Sequence, residues 1–151
     1  MSPTGGKPGR ASGAIYRSLI AHEKTASGWA YPDNVAFIVN LPNRKSFCPD
    51  AAFSHVAPNM EFVSEAPDFA VEVRSEGDYG ARAERAMAAK RADYFAAGTK
   101  VVWDVDLLSE GVVRVYRADA PNEPKIYRRG ETAEAEPAVP GWKFAVDELF
   151  D

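Results

Sequence analysis

One alanine-rich stretch, residues 81–97, stands between groups of short apolar runs, and this alternation does most to limit what the chain can fold into. Alanine mixed with Arg, Glu, Lys and Met favours a helix, and Gly98 supplies its stop. Ahead of it, residues 35–39 read as a buried strand set between Pro32-Asp33-Asn34 and Asn40-Leu41-Pro42-Asn43. A second strand begins at Asp50 and a third spans residues 68–74, each opened by a Pro-Asp pair, since proline tolerates the first strand position. Behind the helix, residues 100–106 read as a buried strand, 112–117 as a half-buried one, 124–128 as a short one and 141–146 as an edge strand, with 131–136 a polar loop. Strands on both sides of one long helix predict a mixed sheet flanked by helices, of the α/β or α+β class.

Residues 1–10, rich in Gly and Pro, predict an irregular lead-in, followed by a single domain over 11–151. A helix is expected over 11–26, with Ala14, Ile15, Leu19 and His22 on one stripe, Ser12 as N-cap and Gly28 past the end. A chain of 151 residues that is 46% hydrophobic can bury one sizeable core. The net charge of -4 argues against nucleic-acid binding by bulk charge, because phosphate affinity comes from clustered Lys and Arg. Local basic patches remain: Arg82, Arg85, Lys90 and Arg91 form one run, and Lys125, Arg128 and Arg129 another, unless both are solvated faces. The single cysteine, Cys48, forms no internal disulfide and asks for no oxidising compartment, so a cytoplasmic location is expected. No apolar run approaches the roughly 20 residues that span a bilayer, so no membrane partner is expected.

The chemistry-bearing residues gather around the second and third strands. Asp50 opens one strand and Glu72 lies within the next, so pairing those strands can bring both carboxylates to one divalent cation such as Mg²⁺ or Mn²⁺. Set among Ala70, Val71 and Val73, Glu72 must be paired, metal-bound or protonated, unless it lies on a solvated strand face. Arg74, two positions on and about 7 Å away, reaches either a phosphate or Glu72 itself. Ser75 either contacts substrate or caps the following turn, and Asp68 either joins the ligands or tops its strand. Lys90 shares a helical stripe with Met87 and Tyr94; its ammonium either serves the reaction or snorkels over the core. Cys48 is expected to be a small buried residue, and no nucleophile–histidine pair, CxxC, P-loop or GxGxxG pattern is present.

Six blocks in order give these residues a shared context. They are Pro49-Asp50-Ala51-Ala52-Phe53, Pro67-Asp68 leading into Val71-Glu72-Val73-Arg74-Ser75, Lys90/Tyr94/Gly98, Val102-Trp103-Asp104-Val105-Asp106, Val113 to Arg117, and Pro140-Gly141-Trp142. Together they resemble the Uma-two family of restriction-endonuclease-like proteins, within the PD-(D/E)XK nuclease superfamily. The resemblance implies a restriction-endonuclease-like mixed sheet flanked by helices, with an acidic Mg²⁺ (or Mn²⁺) site acting on DNA. It further implies that Asp50 and Glu72 are catalytic and metal-binding, that Lys90 is the catalytic superfamily lysine moved onto the helix, and that Arg74 occupies the strand position where other superfamily members keep that lysine, with Arg74 and Ser75 the candidate substrate contacts from the reading of the residues above. Family members usually carry a helix and an acidic strand ahead of a Met-Ser-Pro-Thr-Gly-like turn, and that turn is residues 1–5 here. The family's histidine after this turn is replaced by Lys7-Pro8-Gly9-Arg10. A front shortened in this way would be expected to leave an exposed sheet edge, which would invite a second copy and a homodimer. Two readings follow: a Mg²⁺-dependent endonuclease, or a non-catalytic binding or assembly module that keeps the nuclease fold.

Overall fold

A computed structural model describes residues 3–151. In chain order it contains α1 (Gly6–His22), β1 (Trp29–Tyr31), β2 (Phe37–Leu41), β3 (Arg44–Phe47), β4 (Ala51–Ser54), β5 (Phe69–Val73), α2 (Ala81–Ala96), β6 (Val101–Asp106), β7 (Val112–Arg117), β8 (Ala120–Tyr127), β9 (Thr132–Glu134) and β10 (Lys143–Ala145). Six strands form one sheet in the order β1-β4-β5-β6-β7-β8. Only β5 and β6 run parallel, joined by the crossover through α2, while every other neighbouring pair is antiparallel. The result is a mixed α+β fold, a mostly antiparallel sheet flanked by helices.

Strand alternation sorts the central side chains between two faces. Phe69, Val71, Val73, Val101, Trp103 and Val105 point to the side covered by Ile15 and Leu19 of α1 and by Trp142 and Phe144 near the C-terminus, which together build the main core. Ala70 and Val102 point the other way, into a smaller cluster with Phe47 of β3 and Tyr94 of α2. Glu72 and Asp104 share this second side, as register partners across the parallel pair. The sheet therefore separates an apolar side, which supplies most of the burial, from one that keeps charged groups.

Several expectations change. The lead-in is irregular only as far as Gly5, because α1 starts at Gly6 and includes residues 6–10; Met1 and Ser2 lie outside the described residues. Pro8 falls in the first turn, where its missing N–H costs no helical bond. Burial of Ala11, Ile15 and Leu19 offsets the glycines, each about 1 kcal/mol poorer than alanine in a helix. Ser12 is no N-cap, since its hydroxyl donates to the Gly9 carbonyl at 3.0 Å. Gly28 is required for another reason: a Cβ there would run into the Phe53 ring.

The first expected strand is β2, shifted to Phe37–Leu41, and it pairs with β3 in a separate two-stranded ribbon. Residues 131–136 are not all loop; β9 forms there around fully buried Ala133 and pairs with β10, which is thus no edge of the main sheet. The strand expected at 124–128 begins at Ala120, and Pro121 and Pro124 blunt this outer edge. The long helix agrees with its sequence signal, ending at Ala96 ahead of Gly98 at φ 106°. No helix among the described residues is long and apolar enough to cross a membrane.

Candidate active site

Asp50 lies just before β4, and its backbone straddles Glu72. Its N–H donates to the Val71 carbonyl at 2.9 Å, and its Oδ2 accepts from the Val73 N–H at 2.6 Å. These two bonds bring the Asp50 carboxyl beside Glu72 at the end of β5. Burial pushes the Asp50 carboxyl up, the neighbouring Glu72 charge pushes it further, and the Val73 N–H and Lys90 only partly oppose them; the result is a pKa of about 7. Asp33, in the turn after β1, adds to the same upward push. Asp50 makes no ion pair among the described residues.

Glu72 is held by α2. Lys90 Nζ donates to Oε1 at 2.9 Å, and the Tyr94 hydroxyl donates to Oε2 at 2.7 Å. The lysine thus meets the sheet, as its Met87–Tyr94 stripe suggested, and its partner is the strand carboxylate. A small pocket beside them, lined by Glu72, Lys90, Tyr94 and Asp104, has about 20 Å³ of room for water, enough for about one molecule. Tyr94 stacks on Phe47 with ring centroids 3.9 Å apart. Burial above all, and then the Glu72 charge, raise its hydroxyl well above the usual range, so it remains a neutral donor.

Arg74 is not free to take a phosphate. Its Nε and Nη2 donate to Asp104 at 2.8 and 2.7 Å, its Nη1 and Nη2 also bond Glu84, and Nη1 reaches the Asp78 carbonyl at 3.4 Å. A guanidinium has five N–H donors, and this set engages them all. The salt bridge foreseen for Arg74 forms, but with Asp104 and Glu84 instead of Glu72. The Ser75 N–H is bonded by Asp78 Oδ2 at 2.8 Å, so the aspartate caps this turn and the serine does not. Ser75 also lines an open cleft with Gly6, Lys7, Tyr79 and Leu108.

Other expectations resolve away from the site. Asp68 tops β5 at its far end, about 13 Å of strand from Glu72, where it accepts from the His55 N–H and Nδ1 at 2.8 and 2.7 Å. Cys48 is exposed, a correction to its expected burial. The basic runs do not merge into a groove: Arg91 lies over the Tyr116 ring at 4.0 Å, and Arg129 pairs with Asp147 at 2.6 Å. Among the described residues no third His, Cys, Asp or Glu joins the Asp50–Glu72 pair to complete a metal cluster. Two carboxylates still suit a hard cation that takes one or two of them and completes its shell with water and phosphate. The like charge of Glu72 beside part-buried Asp50 raises the Asp50 carboxyl, and added positive charge at the pair would oppose that push.

The comparisons with known proteins agree with this architecture. The profile of the Uma-two family, described as "putative restriction endonuclease", matches residues 1–147. A crystal structure titled as a "putative nuclease" from Anabaena variabilis superposes with a TM-score of 0.77 at 16% sequence identity, covering 99% of this chain and 83% of that one. At that identity the likeness shows the fold. No curated protein matches the chain.

Proposed function

Since this chain belongs to the Uma-two family of restriction-endonuclease-like proteins, we propose that it is a divalent-metal-dependent endonuclease hydrolysing DNA phosphodiesters at the Asp50–Glu72 pair. The observation that carries this reading is Asp50: a part-buried carboxyl tied beside Glu72 by the Val73 N–H at 2.6 Å, pushed up to about 7 by burial and Glu72, with no ion pair among the described residues. Perturbed acids without a structural partner are what a cation-binding site looks like when only the protein is considered. Asp50 and Glu72 would hold the ion, and their all-oxygen chemistry favours Mg²⁺ or Mn²⁺. Such an ion, when bound, activates water for attack and neutralises the phosphate.

The remaining residues place and balance charge. The Lys90 ammonium, 2.9 Å from Glu72 Oε1, stands where it can stabilise negative charge developing on a phosphate held beside the pair. Ser75, at the end of the same strand and on the cleft, is the substrate contact we retain. Arg74 acts instead by fixing the ends of β5 and β6 through Asp104.

The test is cleavage of plasmid or single-stranded DNA with Mg²⁺ or Mn²⁺, expected to vanish in EDTA and to fall at least about 10³-fold in Glu72→Ala, a loss of the size seen when a charge-stabilising group is removed. Undiminished cleavage by that variant would remove the assignment. The net charge of -4 and the scattered basic residues favour one rival, a non-catalytic module that keeps the fold. Calorimetric titration with Mn²⁺ separates the two, since the enzyme binds the ion and loses it in Asp50→Asn, whereas the module binds none.

A further inference from the structure

Glu72 is gripped at both oxygens by a single helix. Lys90 and Tyr94 stand one turn apart on α2, and their donors reach Oε1 at 2.9 Å and Oε2 at 2.7 Å. The carboxylate cannot turn about its last bond without losing one of them. The donors differ in kind. An ammonium repels any cation brought to the same carboxylate, whereas a neutral hydroxyl adds no such repulsion and can keep its bond.

Tyr94 has little freedom of its own. It is fully buried, and its ring lies nearly parallel to Phe47, at 13°. The preceding residue, Asp93, is tied to the β2–β3 ribbon by Arg44 Nε at 2.8 Å and by Asn43. The ribbon therefore backs the ring on one side while Glu72 takes the hydroxyl on the other. A buried tyrosine hydroxyl needs a partner, and here that partner is the strand carboxylate.

We propose that Tyr94, backed by Phe47, is a positioning residue for the divalent-cation site: its hydroxyl fixes the plane of the Glu72 carboxylate so that a lone pair faces Asp50. The proposal rests on the reading of Asp50 and Glu72 as the cation-holding pair. Tyr94 acts through Glu72, whose Oε2 takes its hydroxyl. Hydrogen bonds that orient a ligating carboxylate are typically worth roughly 10–100-fold in metal affinity.

Mn²⁺ is titrated calorimetrically into the wild type, Tyr94→Phe and Glu72→Gln, with melting temperatures taken in EDTA. Tyr94→Phe keeps the ring and its stack, so it is expected to melt close to wild type and to bind Mn²⁺ roughly 10–100-fold more weakly. Its DNA cleavage should need correspondingly more Mn²⁺ for half-maximal rate, with a smaller change at saturating Mn²⁺. Mg²⁺ should also perturb the tyrosine absorbance of the wild type and leave that band unmoved in Tyr94→Phe. Equal Mn²⁺ affinity in wild type and Tyr94→Phe, with Glu72→Gln silent, overturns the positioning role and leaves the cation site standing. A wild type that binds no Mn²⁺ overturns both. Should Tyr94→Phe fail to fold, Phe47→Leu retains the hydroxyl and loosens its backing; a folded Phe47→Leu protein is expected to bind Mn²⁺ more weakly, and unchanged affinity there overturns the proposal.

Discussion

Two groups of acids lie near one another on the α2 side of the sheet, and they are satisfied to very different degrees. Asp104 receives two bonds from Arg74, with Arg91 and Arg114 within 3.8 and 3.9 Å. Asp106 accepts from the Tyr79 hydroxyl at 2.8 Å and from the N–H groups of Leu108, Ser109 and Glu110. Burial alone would raise the Asp106 carboxyl, yet the Ser109 N–H, Tyr79 and the other donors outweigh it and hold the group below its usual range. Asp50, a part-buried acid just ahead of a strand, has one N–H and a like charge beside it, and moves upward to about 7. Charges that serve the fold are met by donors from this chain, and the acid left short of them is the one we propose takes a partner from elsewhere.

Arg74 offers the largest test of that contrast. Its side chain and that of Asp104 are each only 4% exposed. Arg74→Ala leaves Asp104 buried without its main partner, which should cost about 3–5 kcal/mol of stability, measured as a fall in the urea midpoint. A variant that keeps its stability and loses only DNA cleavage would return Arg74 to the phosphate and collapse the distinction between the two groups.

Asp50→Asn should move stability the opposite way. Its folded pKa, about 7, lies above the ordinary 3.8, so the native state holds a proton that the unfolded chain releases. This group therefore opposes folding progressively as pH rises from about 4 to about 7, and by a constant amount above that. Asparagine carries no charge and can still accept from Val73 N–H. In EDTA at pH 8 the variant should be about 2–4 kcal/mol more stable than wild type, with the gain fading toward pH 4. A destabilised Asp50→Asn protein at pH 8 would place Asp50 with the structural acids.

The legible parts of this molecule are those set by local pattern, and the rest depends on which strands become neighbours. β5 and β6 stand out because both are near-continuous apolar runs, and Glu72 stands out because it interrupts one of them. The partner of Arg74 is hidden, since Asp104 lies 30 residues on and meets it only through the parallel pairing of β5 with β6. The start of α1 is masked by Gly6, Pro8 and Gly9, whose poor helix preference is overridden by packing against the sheet. β3, with Arg44, Lys45 and Ser46, has no apolar signature, and only Phe47 pointing inward toward Tyr94 makes it a strand of consequence. The Lys90–Tyr94 spacing shows that both residues share a helix face, while the fact that both grip Glu72 depends on where that helix docks.

Glu84 gives the smallest and sharpest test. It pairs with Arg74 from the first turn of α2, but its side chain is half exposed, so water already screens the interaction. The bond to Arg74 holds its carboxyl below the usual range, so its contribution to stability is present above the ordinary pKa of 4.5 and is lost as pH falls through the lower folded value. Glu84→Gln should therefore cost less than about 1 kcal/mol at pH 7, shrink further in high salt, and vanish in urea titrations at strongly acidic pH. Arg74 keeps Asp104 in this variant, and it is the buried carboxylate, not the exposed one, that makes the guanidinium indispensable. If Glu84→Gln instead costs as much as Arg74→Ala, the network depends on its exposed rim, and burial is not what separates the structural acids from Asp50.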